Sequence, residues 1–159
     1  MENKTNLPGE LRNISILFTA LCTGIILFAG VSLAVNRFNG PFIPENNFSN
    51  TGLGVVVIFT VICLYLAHFN YNKQMRPELL TQLSLPKKLD HYRSARIKYM
   101  ALLEGPAILS IIAFLLTGYF RFLAITFILL LNMYLKRPSK MRMSNDLKLS
   151  SNEQSELYM

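Results

Sequence analysis

Long apolar runs alternate with polar segments along the chain. There are four runs, Glu104 is the only acidic residue in them, and they cover residues 14–35, 52–69, 99–119 and 120–135. A helix needs about 20 apolar residues to cross the hydrocarbon core of a bilayer. Strands of a membrane barrel would alternate apolar and polar residues, and these runs do not. The pattern therefore predicts an all-α membrane protein with four transmembrane helices.

The first run has a second interpretation as a secretory signal peptide. Lys4 and Arg12 precede it, and the sequence Ser-Leu-Ala at 32–34 is compatible with a cleavage site. However, the apolar stretch exceeds the length of about 7 to 15 residues that is typical of a signal peptide. We therefore interpret the run as a helix of the mature protein.

The polar segments predict the connections between the helices. Residues 1–13 form the N-terminal segment, 36–51 an external loop containing Gly, Pro and Asn, and 70–98 a basic central segment. The last two runs abut, so their helices form a tight hairpin, and with the first pair this gives two tandem hairpins. Residues 136–159 form the tail, which we expect to be poorly ordered from Ser144 onward.

An amphipathic helix is predicted before the third run. Ser84 and Pro86 are typical of the N-cap and first turn of a helix. Leu85, Leu89 and Tyr92 then recur at helical spacing. We expect a cytoplasmic amphipathic extension of the third helix that enters the membrane without a break. Its apolar face lies either on the membrane surface or against the tail.

The basic residues predict the orientation of the chain. Every Lys and Arg except Arg37 and Arg121 lies in the N-terminal segment, the central segment or the tail. Because cytoplasmic segments of membrane proteins are enriched in Lys and Arg, we expect both termini and the central segment to be cytoplasmic. The net charge of +7 is then explained by contact with anionic lipid head groups. Nucleic-acid binding is not indicated, since no basic motif interleaved with aromatic residues accompanies the charge.

Two segments of the chain suggest an internal repeat. When residues 12–24 are laid over 93–105, identical residues coincide at Arg12 and Arg93, Ile16 and Ile97, Ala20 and Ala101, Leu21 and Leu102, and Gly24 and Gly105. Most matches lie four residues apart and thus on one helix face. Small residues at such spacing let helix backbones approach closely, so Ala20, Gly24, Ala101 and Gly105 are predicted to pack helices together. The alternative is that apolar helices resemble one another by composition.

Glu104 is the leading candidate for a functional site. An ionisable group within an apolar helix is costly and usually faces protein or water. Pro106 removes a backbone hydrogen bond and predicts a kink beside the carboxylate. Four polar residues at similar depth are candidates to bind Glu104, a proton or a cation: Tyr65, His68, Asn132 and Tyr134. The alternative is that Glu104 only snorkels or pairs with a neighbouring base and that Pro106 shapes the bundle.

Other chemistry has little support in the sequence. Cys22 and Cys63 lie in apolar runs, distant in sequence from His68 and His91, so neither a zinc site nor a disulfide framework is predicted. The sequence has no phosphate-binding glycine loop and no nucleophile elbow. We therefore predict a protein that is not an enzyme and uses no metal or cofactor.

Parts of the chain resemble known families. The sequences Tyr-Arg-Ser-Ala-Arg-Ile at 92–97, Ala-Leu-Leu-Glu-Gly-Pro-Ala at 101–107 and Arg-Pro-Ser at 137–139 resemble uncharacterised four-helix inner-membrane proteins of Bacteroidota-type bacteria. That resemblance implies a bacterial inner-membrane location and no particular activity. The tandem hairpins and lone carboxylate are more faintly similar to rotary ATPase proteolipids. The chain departs from these because Glu104 is on the third helix, near the predicted cytoplasmic side.

Two functions are consistent with these predictions. The first is a non-enzymatic subunit or scaffold of a membrane complex, which binds a membrane-protein partner or a second copy of the chain. The second is a small proton- or cation-linked transporter or channel in which Glu104 carries the ion. The sequence offers no line of polar residues across the bilayer, which favours the first function.

Overall fold

The fold is a bundle of α-helices. The computed structural model describes residues 7–43, 47–76, 78 and 83–149, and within this part of the chain no strand is formed. The helices are α1 (Leu7–Asn39), α2 (Asn47–Gln74), α3 (Leu85–Thr117), α4 (Phe120–Leu135) and α5 (Lys140–Leu147). Helices α1, α2 and α3 are each long and apolar enough to cross a membrane, and α4 is a shorter apolar helix. The architecture is thus compatible with a helical bundle in a membrane.

Helix α3 lies at the centre of the bundle. It packs against α1, α2 and α4, and α5 also contacts it. Over the residues described, α1 and α2 make little contact with each other although they are neighbours in sequence. The first two helices therefore bury their inward faces on α3, whereas α3 and α4 form a closely packed hairpin.

Hydrogen bonds between the helices define their directions. Asn36, near the end of α1, donates to the carbonyl oxygens of Phe114 and Leu115 near the end of α3, at 3.1 and 3.2 Å. These two helices are therefore parallel. At the opposite end of the bundle, the ring of His91 in α3 donates to the carbonyl of Gln74, the last residue of α2, at 3.0 Å. Helix α2 is therefore antiparallel to α3.

Local chemistry explains where α3 begins. Ser84 is its N-cap residue, with an extended backbone, and Pro86 lies in the first turn. The Ser84 side chain makes no capping hydrogen bond, so proline geometry is the main start signal. The helix runs unbroken to Thr117 and includes Pro106, which confirms the expectation of one continuous helix.

Gly118 ends α3 and allows the tight turn into α4. Its φ of +73° is in the left-handed region, and its N–H donates to the carbonyl of Phe114 at 2.7 Å. A Cβ atom at this position would lie 3.3 Å from the Cβ of Pro41. Both the backbone conformation and the close approach of the loop after α1 therefore require glycine here.

The beginning of the tail is folded. Met143, Leu147 and Leu149 are buried in one apolar cluster with Leu89 and Tyr92 of α3. The expectation of poor order is therefore wrong for residues 144–149, because the apolar side chains of α5 recur at helical spacing and cover the start of α3. The apolar face of the α3 extension packs on the tail, one of the two alternatives considered. Residues 150–159 lie outside the described part of the chain.

Candidate functional site

A buried arginine lies at the end of the bundle where α3 begins. The Arg96 side chain is 2% exposed. Its Nη2 donates to Asp146 Oδ2 of α5 at 2.9 Å, its Nη1 to the carbonyl of Lys136 at 3.1 Å and its Nε to the hydroxyl of Tyr92 at 3.1 Å. A buried charge is tolerated when it is paired and hydrogen-bonded, and Arg96 meets both conditions.

Two tyrosine rings complete the surroundings of this arginine. The guanidinium carbon of Arg96 lies 4.7 Å from the ring centroid of Tyr71 and 5.1 Å from that of Tyr92, within the range of cation–π contacts. The Tyr71 hydroxyl also donates to Asp146 Oδ2, at 2.5 Å. One carboxylate oxygen of α5 thus accepts hydrogen bonds from both α2 and α3.

A second polar layer lies about one helical turn further along α3. The Tyr99 hydroxyl donates to Asn132 Oδ1 at 2.9 Å, and the ring packs edge-on against His68 with 5.5 Å between centroids. The Nδ1 of His68 lies 3.0 Å from the carbonyl of Leu64, which assigns the proton to Nδ1. The Nε2 of His68 is then an acceptor and is in close contact with the ammonium of Lys136.

The environment of Lys136 disfavours its charged form. Burial lowers its pKa below the ordinary value of 10.5, and the positive charges of Arg142 and Arg96 lower it further. Asp146 acts in the opposite direction but more weakly. The Lys136 ammonium also lies 5.3 Å from the ring centroid of Tyr99. Lys136 is therefore held between an aromatic face and a histidine nitrogen, and it follows α4 directly.

We refer to these residues together as the polar cluster: His68 and Tyr71 of α2, Tyr92, Arg96 and Tyr99 of α3, Asn132 of α4, Lys136, and Asp146 of α5. The crevice where Phe18 of α1 meets Arg96 and Tyr99 leaves no room for even a water molecule. The polar cluster therefore connects four elements through charge pairing and hydrogen bonds, and its contact with α1 excludes water.

The structure brings together only two of the residues predicted to surround Glu104. His68 and Asn132 both contact Tyr99 in the polar cluster. Tyr65 and Tyr134 are 67% and 57% exposed on the outer surface. Within the described part of the chain, no hydrogen bond or ion pair joins Glu104 to any of the four predicted partners.

Glu104 and Pro106 occupy different faces of α3. Glu104 is half-buried, whereas Pro106 is buried on the inward side. At 100° per residue, Glu104 lies about 140° around the helix from Tyr99, so the carboxylate is directed away from the polar cluster. The glutamate and the polar cluster are therefore separate features.

The small residues predicted to pack helices face outward. Ala20, Gly24, Ala101 and Gly105 are all exposed. A Cβ atom added at Gly24 or Gly105 would meet no atom within 4 Å. These positions are therefore not used for close packing of helices within one copy of the chain.

Arg96 and Asp146 were missed because their local sequence context is ambiguous. Arg96 belongs to the same helical stripe as Leu89, Tyr92 and Tyr99, and a cation on an apolar face is a recognisable signal. Asp146 is an acidic residue in a basic segment that was expected to be poorly ordered. Their opposite charges predict an ion pair only when it is known that the tail packs on α3.

The site has no feature of a metal centre. Among the described residues, no group of three His, Cys, Asp or Glu side chains could hold a metal ion. Cys22 and Cys63 are free thiols.

No protein-family model matches the sequence, and no match was found among curated proteins or solved structures. The functional argument therefore rests on the geometry of the chain itself.

Proposed function

We propose that the chain is a multi-pass protein of a bacterial inner membrane and acts as a non-enzymatic subunit or scaffold of a membrane complex. One observation carries the proposal: large apolar side chains cover the outward surfaces of the helices, while charged side chains gather in a folded structure at one end. Exposed examples are Ile26, Leu27 and Val31 of α1, Val55, Ile58 and Val61 of α2, and Phe127 and Ile128 of α4. A water-exposed surface of this kind would be strongly aggregation-prone, whereas lipid accommodates it.

The positive-inside rule supports a cytoplasmic location of the polar cluster and of both termini. Arg12, the polar cluster and α5 share one end of the bundle, and the basic residues Lys73, Arg76, Lys87, Lys98 and Arg137 are exposed there. Arg37 and Arg121 belong to the opposite end. An excess of Lys and Arg marks the cytoplasmic side of membrane proteins.

The interior of the bundle favours a scaffold over a transporter. Buried Leu103, Ala107 and Leu129 follow the polar cluster toward the other end. About two turns of α3, roughly 12 Å, separate Tyr99 from Ala107, where the next buried hydroxyl, that of Thr126, donates to a backbone carbonyl. Among the described residues, a single copy has no continuous polar path. The exposed basic residues at one end of an apolar helical bundle instead suit the docking of a partner with an acidic surface.

The membrane location and orientation are tested by cysteine labelling in cells. In a Cys22→Ser/Cys63→Ser background, single cysteines replace Phe42, exposed at one end, and Met141, exposed at the other. A membrane-impermeant maleimide should label the Phe42→Cys protein in spheroplasts and the Met141→Cys protein only after permeabilisation. Reversed labelling contradicts the orientation, and recovery of the protein in the soluble fraction after an alkaline wash contradicts the membrane location.

The scaffold function is tested by gentle purification from native membranes followed by mass spectrometry. We expect a stoichiometric protein partner that is lost from the Lys87→Gln/Lys98→Gln variant and kept by the Arg37→Gln/Arg121→Gln variant. Both variants remove two positive charges, from opposite ends of the bundle. Equal recovery of the partner with both variants argues against docking at the basic end.

The transporter alternative makes a different prediction for Glu104. It requires a defined homo-oligomer without another protein, and ion flux that is abolished by Glu104→Gln while the fold is kept. Glu104 is half-buried and lies beside the exposed Ala101 and Gly105. Such a result would replace the scaffold proposal by a transporter assembled from several copies.

A further inference from the structure

A groove of about 650 Å³ lies on the outside of the basic end. It runs between the first turns of α1 and the segment that leads into α5. The α1 wall includes Arg12, Ser15, Ile16 and Ala20, and the other wall includes Pro138 and Lys140. The residues that line the groove include neither Glu104 nor any residue of the polar cluster.

The chemistry of the groove changes along its length. Arg12 and Lys140 place two positive charges on opposite walls at one end. Ile16 and Ala20 follow Arg12 by one and two helical turns, about 6 and 12 Å along α1, and continue the wall with apolar surface. The groove therefore offers a cationic end next to a mainly apolar wall of α1, which also includes the hydroxyl groups of Ser15 and Thr19.

We propose that this groove binds one anionic phospholipid from the cytoplasmic leaflet. Its phosphate lies between Arg12 and Lys140, and part of an acyl chain follows Ile16 and Ala20. Basic pockets between helices at the cytoplasmic side are suited to lipid head groups of this charge. The inference rests on the proposed membrane location, and it adds a specific lipid ligand to the proposed function.

The charge complementarity and the apolar wall together select the ligand. A free phosphate ion would use only the cationic end, and a zwitterionic lipid would bring its own positive charge toward Arg12 and Lys140. An anionic lipid pairs with both cations and also covers the exposed Ile16 side chain.

The contribution of the two cations to lipid binding is tested by native mass spectrometry of the purified protein in mild detergent. The protein is titrated with phosphatidylglycerol or with phosphatidylcholine of the same chain length. We expect the wild type to bind one phosphatidylglycerol in preference to phosphatidylcholine. The Arg12→Gln/Lys140→Gln variant should bind it about 30-fold more weakly, since each cation contributes about 1 kcal/mol.

The control is Lys73→Gln/Arg76→Gln, which removes two exposed charges from the same end of the bundle but outside the groove. Its affinity for phosphatidylglycerol should equal that of the wild type. Equal losses in both double variants would mean that only the overall charge matters, and this would overturn the proposal. The absence of a preference for phosphatidylglycerol in the wild type would also overturn it.

The acyl-chain part of the proposal is tested without changing the charge. Ala20→Phe places a ring in the groove and should reduce phosphatidylglycerol binding, whereas Ala34→Phe, at an exposed position near the other end of α1, should not. Glycerol 3-phosphate, which lacks acyl chains, should compete poorly, and competition as strong as that of the lipid would contradict the proposed acyl-chain contact. A protein that stays in membranes after the alkaline wash but shows none of these differences disproves the lipid site alone.

Discussion

Arg96 of α3 and Asp146 of α5 form an ion pair with 2.9 Å between Nη2 and Oδ2, and this pair holds α5 on the central helix α3. The arginine is 2% exposed and the aspartate side chain 26%. The positive charge thus depends on this carboxylate much more than the carboxylate depends on the arginine, because Asp146 keeps some contact with solvent. This asymmetry makes the pair testable.

Replacement of Asp146 by Ala should destabilise the protein by about 3 kcal/mol, the low end of the range for a buried ion pair because Asp146 is 26% exposed, since the buried Arg96 loses its partner charge. The measurement is the free energy of unfolding in detergent, followed by circular dichroism. The double variant Arg96→Met/Asp146→Ala should be more stable than Asp146→Ala alone, since it leaves no unpaired charge. Additive losses in the double variant would show that the pair itself is unimportant.

Two methionines in α5 provide a matched pair. Met143 is fully buried in the apolar cluster, whereas Met141 is 72% exposed. Met143→Ala should cost about 2 to 4 kcal/mol, and Met141→Ala should stay within about 0.5 kcal/mol of the wild type. Limited proteolysis should also cut the tail of the Met143→Ala variant faster. Equal protease sensitivity of the two variants contradicts the packing of α5 on α3.

Substitution by alanine should change the stability of the protein in opposite directions at Gly118 and at Gly105. At Gly118 the left-handed backbone and the nearby Pro41 both disfavour a Cβ atom, so Gly118→Ala should destabilise by about 1 to 2 kcal/mol. At Gly105 nothing lies within 4 Å of the added Cβ, and Gly105→Ala should stabilise the helix by about 0.5 to 1 kcal/mol. Thermal unfolding of both variants measures the difference. A loss of stability at Gly105 would instead reveal a contact between copies of the chain.

The lowered pKa of Lys136 predicts that the free energy of unfolding rises with pH. Because its pKa is lowered in the folded state, the unfolded chain binds its proton more tightly between the lowered pKa and 10.5. Stability therefore increases as pH rises through this window, and below it the unfavourable contribution is fully present. The slope of the unfolding free energy between pH 7 and about 9.5, below the usual tyrosine titration, measures the effect.

The matched variants for this slope are Lys136→Met and Lys73→Met. Lys73 is an exposed lysine in the last turn of α2. Lys136→Met should remove much of the rise with pH, whereas Lys73→Met should leave it unchanged. Identical slopes in both variants would show that Lys136 does not contribute to the pH dependence.

The helices could be predicted from the sequence more readily than their arrangement. Long apolar runs and the Ser84–Pro86 start signal predict helical segments because they depend on local chemistry. The central position of α3 could not be predicted, since the inward and outward faces of such helices are both apolar. Ile25 is buried and the adjacent Ile26 is exposed, for example, although the two side chains are identical.

The predicted and observed sites differ for a related reason. The sequence favours Glu104 because an acid in an apolar run is conspicuous, whereas Arg96 lies in a segment rich in basic residues and does not stand out. Its burial depends on Asp146, 50 positions later in the chain. Contacts between residues so distant in sequence are decided by tertiary packing, which the pattern of a single helix does not contain.

The central position of α3 has a consequence for biosynthesis. The ribosome releases the chain from its N-terminus, so α1 and α2 emerge before the helix on which both of them pack. Their inward side chains, including Ile14, Ile25 and Ala67, remain uncovered until translation reaches α3. In a bilayer these apolar faces contact lipid until α3 is inserted, and the buried Arg96 acquires its partner charge only when Asp146 has been synthesised.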